Sequence, residues 1–226
     1  LSLMLGTKCE YNTHTGTEWQ PSGRLTWIIN EKNVVWASIS RAVRTPALVN
    51  DDIQLTLIDQ PPVLATLEGD SHVKSEELLA YEIGHRTTLK KNITVDSALF
   101  YNRYDNLIVN LNTSSNPLNQ SRIFMNSDSG ETYGGEVSVN WKATDHLDIS
   151  GSYSYLQVQI HGSTGNEKAA PHNMANLMAQ YTVSDRLKLH ANAYYVDKTI
   201  PIRRSVPAPD LDPDQYIRLD LGLCWQ

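Results

Sequence analysis

The sequence predicts an all-β chain, an antiparallel, up-and-down transmembrane β-barrel segment of about ten strands with short periplasmic turns and long extracellular loops. Three observations predict it. Apolar and polar residues alternate with period two along most of the chain, which puts them on opposite faces of strands. The alternating segments run to about ten to thirteen residues, whereas strands of soluble domains average five or six and about ten tilted residues cross a bilayer. The connections also sort into short and long sets, the layout of an outer-membrane barrel.

In order, strands are expected over 3–12, 18–29, 34–42, 77–88, 92–104, 120–126 running into 131–142, 147–160, 172–183, 187–198 and 215–225. The stretch 187–195 shows the pattern: Leu187, Leu189, Ala191, Ala193 and Tyr195 alternate with Lys188, His190, Asn192 and Tyr194. In 131–142, Val137, Val139 and Trp141 oppose Glu136, Ser138, Asn140 and Lys142. In 147–155, Leu147, Ile149, Tyr153 and Tyr155 oppose Asp148, Ser150, Ser152 and Ser154. In 215–225, Ile217, Leu219, Leu221, Leu223 and Trp225 oppose Arg218, Asp220 and Gly222. Charges in mid-strand need water or a polar filling behind them. The apolar face is therefore expected to meet lipid, with Leu187, Leu189, Leu219, Leu221 and Trp225 on it. Short turns fall at 30–33, 89–92, 143–146 and 183–186, and long connections at 43–75, 105–130, 161–171 and 199–214. Aromatics near strand ends, among them Trp19, Trp27, Trp36, Tyr153, Tyr155, Tyr181, Tyr194, Tyr195 and Trp225, suit interfacial girdles.

Composition excludes several classes. The 226 residues carry a net charge of −6 and a pI near 5.6, without the basic footprint of a nucleic-acid binder. No run of eighteen apolar residues suggests a transmembrane helix. The opening "LSLMLGTKCEYN" lacks a basic start and a small-residue cleavage site, and Met does not begin it, so it reads as a mature chain or an internal piece. Cys9 and Cys224 have no metal or redox spacing, and sequence does not decide whether they bond. The chain has no nucleophile elbow, Walker motif or dinucleotide fingerprint, so no enzyme and no cofactor are expected.

The stretch "VVWASISRAVRTPAL" (34–48) resembles a hallmark of TonB-dependent outer-membrane receptors, a strand ending in Ser-x-x-x-Arg-x-Pro before a long outer loop. "KSEELLAYEIGHRTTLKKNITVDSALFYNRYDNLIV" (74–109) resembles the strand pair that follows, and "SGETYGGEVSVNWKATDHLDISGSYSYL" (129–156) the next, with "PHNMANLMAQY" (171–181) and "YIRLDLGLCW" (216–225) later. The resemblance covers nearly the whole chain. It implies part of the C-terminal half of the barrel domain of a receptor in the outer membrane of a Gram-negative bacterium, with plug domain and final strands absent. It implies active uptake of a scarce nutrient such as a ferric siderophore or similar metal chelate, driven by TonB through the plug. A passive porin or barrel adhesin is the alternative within membranes, and a soluble β-rich carbohydrate-binding module the alternative outside them. The partners expected are outer-membrane lipid, plug, TonB and the chelate, with no nucleic acid.

The candidate contacts to ligand or plug are Arg41, Arg44, Glu82, Arg86, Glu136, Arg203 and Arg204. Arg41 and Arg44, with Pro46, allow a second reading, in which they fix a strand end and the loop's exit. Glu82, Arg86, Asp96, Glu136, Lys142, Lys188, Arg218 and Asp220 alternate in sign on polar faces, as charges paired across strands do. Asp210, Asp212 and Asp214 sit at alternate positions as in calcium loops, but the EF-hand Gly and closing Glu are missing, so they are weak candidates and no metal is expected. The seven histidines show no paired metal spacing and read as solvated. On this face assignment, Leu189→Lys is expected to block membrane assembly and His190→Lys to be tolerated.

Overall fold

The computed structural model describes residues 1–162, 167–199 and 213–225. Its elements are β1 (Ser2–Asn12), β2 (Gly16–Asn30), β3 (Asn33–Arg44), α1 (Leu48–Asp52), β4 (Gln54–Gln60), β5 (Val63–Glu68), β6 (Glu76–Lys90), β7 (Ile93–Asn112), β8 (Asn119–Lys142), β9 (Leu147–His161), β10 (Asn173–Ser184), β11 (Leu187–Val196) and β12 (Tyr216–Trp225). Ten strands form one antiparallel path, β1-β2-β3-β6-β7-β8-β9-β10-β11-β12. This is a curved barrel wall that does not close: among the described residues β1 pairs only β2, and β12 only β11. No described helix is long and apolar enough to cross a membrane.

Register shows why the alternation has two meanings. Ile39 sits opposite Tyr81, Tyr81 opposite Tyr101 and Tyr101 opposite Tyr133, one lateral row on one face. Further along that face, Val35, His85, Ser97, Val137 and Tyr153 form another row. The other face carries Arg86, Asp96, Ser138, Ser152, Asn176 and Tyr194 in direct succession. A single sheet with one apolar and one charged face cannot bury either against itself. Lipid on one side and a wet lumen on the other is the arrangement that satisfies both.

Two of the aromatics expected in girdles face the polar side. Trp36 is in register with Gly84 and lies under the Arg24 guanidinium, and Tyr194 lies under that of Arg218. Tyr81 and Tyr101, 6.2 Å apart between ring centres, and Tyr133 beside them belong to the apolar face. Cys9 and Cys224 are exposed free thiols.

The connections expected as loops at 43–75 and 105–130 hold much regular structure. β7 and β8 run past the last β6 residues they accompany, pairing from Leu107–Asp128 out to Asn112–Arg122, a projection of about 20 Å. β5 lies parallel to the far part of β8, Leu64–Glu68 against Asn119–Ile123, and β4 pairs antiparallel with β5. The buried residues lie mostly here: Ala65, Val73, Ser75, Glu76 and Asp128. The solid part of the chain is thus a lobe on the long-connection rim.

Candidate functional site

The polar face of the wall is the first candidate. A depression of about 650 Å³ opens on it, lined by Arg24, Trp36, Arg86, Asp96, Glu136 and Tyr194 among others. Eight successive wall strands, from β2 to β11 along the path, supply its lining because polar residues at alternate positions share a face. Arg86 Nε donates to Asp96 Oδ1 at 2.5 Å, across the β6–β7 pair. Ser38 Oγ donates to Glu82 Oε2 at 3.3 Å. Arg218 binds Asp220 at 2.8 Å while its guanidinium lies 4.6 Å above the Tyr194 ring. Arg24 stacks 3.9 Å from the Trp36 ring centre, and the indole lies across Gly84, where no Cβ would fit. These solvent-screened pairs add little to stability. Their role is positional, since a paired charge holds its side chain still.

Glu82, Arg86 and Glu136 therefore share the polar face, the first two on β6 and the third on β8, with β7 between them. Glu136 makes no ion pair or hydrogen bond among the described residues and lies within the depression. Arg41 and Arg44 are elsewhere, at the rim end of β3. Arg41 is in register with Leu79 on the apolar face, binds Glu77 at 3.1 Å, approaches Glu18 at 4.0 Å and donates to the Trp19 carbonyl. Arg44 Nη2 donates to Glu76 Oε1 at 2.6 Å. The same oxygen accepts from the Ile108 backbone at 2.8 Å. Both arginines brace the strand end and the exit of the long connection. Arg203, Arg204, Asp210 and Asp212 lie outside the described residues. Asp214 is 3.6 Å from Lys198 Nζ, and no described group of His, Cys, Asp or Glu could hold a metal.

The apolar face carries Leu187 opposite Trp225, Leu189 opposite Leu223, Ala191 opposite Leu221 and Ala193 opposite Leu219. Further round, a hollow of about 770 Å³ opens between Val35, Ile83, Leu99, Val137, Tyr153 and Tyr155, where Gly135 contributes no side chain to its row.

The rim lobe has no signature in the sequence that marks it as a unit. Asn126 bridges Lys74 and Asn106: its Oδ1 accepts from Lys74 N at 2.7 Å, and its Nδ2 donates to the Lys74 and Asn106 carbonyls at 2.9 and 2.7 Å. Ser75 Oγ donates to Glu18 at 2.6 Å, and His14 Nδ1 lies 2.7 Å from Asp51 Oδ2. Asp70 accepts from the backbone N–H of His72 and meets its ring at 2.8 Å, which together hold the Asp70 carboxyl below its ordinary value. The available signal was "QLTLIDQPPVLATLE", two short alternating runs around Pro-Pro.

A one-layer antiparallel wall with an apolar outer face, a charged inner face and a built-up rim defines an outer-membrane-type β-barrel. The family model described as "TonB dependent receptor-like, beta-barrel" matches residues 1–226, and the chain belongs to that family. It is 20% identical to the iron-regulated outer membrane virulence protein of Vibrio cholerae serotype O1, covering 99% of this chain and 35% of that protein. Its fold is similar to that of a mutant ferric enterobactin receptor from Pseudomonas aeruginosa, with TM-score 0.79 and 20% identity over 99% of this chain and 35% of the other. The siderophore receptor PirA from Pseudomonas aeruginosa gives TM-score 0.76 and 17% identity over 99% of this chain and 39% of the other. The ferric-catecholate import receptor Fiu of E. coli K12 gives 0.70 and 16%, over 93% and 29%. The chain thus spans about a third of the length of these relatives.

Proposed function

We propose that this chain is part of the wall of an outer-membrane receptor that imports a ferric siderophore, of the catecholate class, without changing it chemically. The observation that carries this is the polar face. Arg86 pairs with Asp96 and Arg218 with Asp220 within the wall, whereas Arg24 and Glu136 make no ion pair among the described residues. A lumen so lined suits a polar filling, and in this reading a plug domain from the rest of the receptor fills it and receives energy from TonB. The relatives support the ligand class, being named as receptors for ferric enterobactin, siderophores and ferric catecholates. The long-connection rim faces outward and the short turns face the periplasm.

The test uses the whole receptor in cells lacking their own catecholate receptors. Radioactive iron loaded on enterobactin should accumulate only when the receptor is present, and accumulation should stop when TonB is deleted. Receptor-dependent entry that persists without TonB would support a passive pore instead. No entry with any catecholate chelate would overturn the ligand assignment.

A further inference from the structure

We propose that the open edge of β4 docks an extended, basic and apolar stretch of an external polypeptide by strand addition. β4 pairs with β5 alone, so among the described residues its other edge carries unpaired backbone groups. An open edge is a template for another strand. Its side chains are not guarded as edges usually are. Leu55, Leu57 and Ile58 are 46%, 50% and 44% exposed, and Leu48 and Val49 of α1, which precedes β4 in the chain, are exposed as well. Exposed apolar residues are ordinary singly, but gathered along one edge they mark a contact surface.

Lipid is not their cover. The lobe is held to β8 at Asn119–Ile123, whereas β9 accompanies β8 only between Ser129 and Lys142. β4 therefore stands beyond the wall that crosses the membrane. Charge chooses among the remaining occupants. Residues 45–75 contain Asp51, Asp52, Asp59, Glu68 and Asp70 against the single Lys74. A second copy would bring the same negative field to the edge, and anionic headgroups would be repelled as well. A segment with alternating basic and apolar residues meets both features at once. The edge is also pre-organised, which lowers the ordering cost of binding: the parallel β5–β8 ladder, the His14–Asp51 contact and the Glu76 carboxylate hold the lobe in place. The proposal rests on the outward orientation of this rim stated above, not on the identity of the imported chelate.

The experiment uses the whole receptor on intact cells, with Cys9→Ser and Cys224→Ser removing the two thiols of this chain and the receptor without Leu57→Cys as the labelling blank. Leu57→Cys should react with a membrane-impermeant maleimide. No reaction in any preparation would mean that the receptor's own remaining chain covers β4, and the proposal would be overturned. Reaction only after the outer membrane is opened would place this rim inside and sink the orientation along with the proposal. The second arm uses a short synthetic peptide of alternating lysine and valine, and its twin N-methylated along one edge. Purified receptor should bind the first and not the second. Asp51→Asn, Asp52→Asn and Asp59→Asn together should weaken binding by about tenfold. Failure of the first peptide to bind overturns the proposal. Equal binding of the twin would show attraction by charge alone, and that too rules out strand addition. Loss of catecholate uptake without loss of peptide binding would leave this inference standing.

Discussion

A single glycine decides how one of the lumen's arginines is presented. Trp36 lies against Gly84, its register neighbour, and the Arg24 guanidinium stacks on the same indole. The pair Arg24 and Trp36 is diagonal across the β2–β3 hairpin, since Arg24 faces Ser38 and Thr26 faces Trp36. A Cβ at position 84 would overlap three atoms of the indole ring. Gly84→Val is therefore expected to expel the indole, unseat Arg24 and destabilise the wall by about 1–3 kcal/mol. The check is the urea midpoint of the receptor in detergent, with Trp36 fluorescence moving toward the solvated value. In a Trp36→Ala background the same substitution should cost little, because the clash is gone. Equal penalties in both backgrounds would show that Gly84 is needed for another reason.

Among the elements, the rim lobe and the wall strands obey different physics, and this sets what could be read in advance. The ten wall strands were legible because each lies between lipid and water, so the environment writes a period of two into the residues. β4 and β5 lie in no such sandwich; β4 is exposed along its whole length, and the β4–β5 register slips between Thr56 and Ile58. The projection of β7 was hidden by a slip in phase, since the ladder breaks between Tyr104 and Leu107 at Asn106, whose φ is +59°. The bracing of Arg44 by Glu76 joins residues 32 apart, and no local spacing foretells it. The lobe should also respond to acid. The His72 backbone N–H, and secondly its ring, hold the Asp70 carboxyl below its ordinary value of 3.8. A depressed carboxylate adds stability that is complete above the unfolded value and fades as pH falls through the folded one. Hydrogen-exchange protection of β5, corrected for intrinsic rates, should thus exceed that of Asp70→Asn by a constant margin at neutral and mildly acidic pH. The margin should vanish only below the ordinary Asp value. A margin that widened in acid would contradict the assignment.

At the scale of the whole molecule, depth in the membrane governs what a charge costs, and the structure revises where to place one. A lysine on the lipid face costs about 2–4 kcal/mol at the bilayer midplane and about 0–1 kcal/mol near the interfaces. Leu189 is only the third residue of β11, close to the short 185–186 turn, so Leu189→Lys can snorkel to the nearer membrane boundary. Leu221 is in the middle of β12 and faces Ala191 across the ladder. Leu221→Lys is therefore the substitution expected to block assembly into the outer membrane, with Leu189→Lys giving a mild loss. Ser152→Lys, at mid-strand on the polar face beside Ser138 and Asn176, should assemble like the parent. Comparing the folded fraction of the receptor in isolated outer membranes for the three variants reads out face and depth together. If Ser152→Lys failed while Leu221→Lys assembled, the charged face would be the one meeting lipid. The lumen reading of Arg86, Asp96 and Glu136 would then fall with it, because both rest on the same alternation.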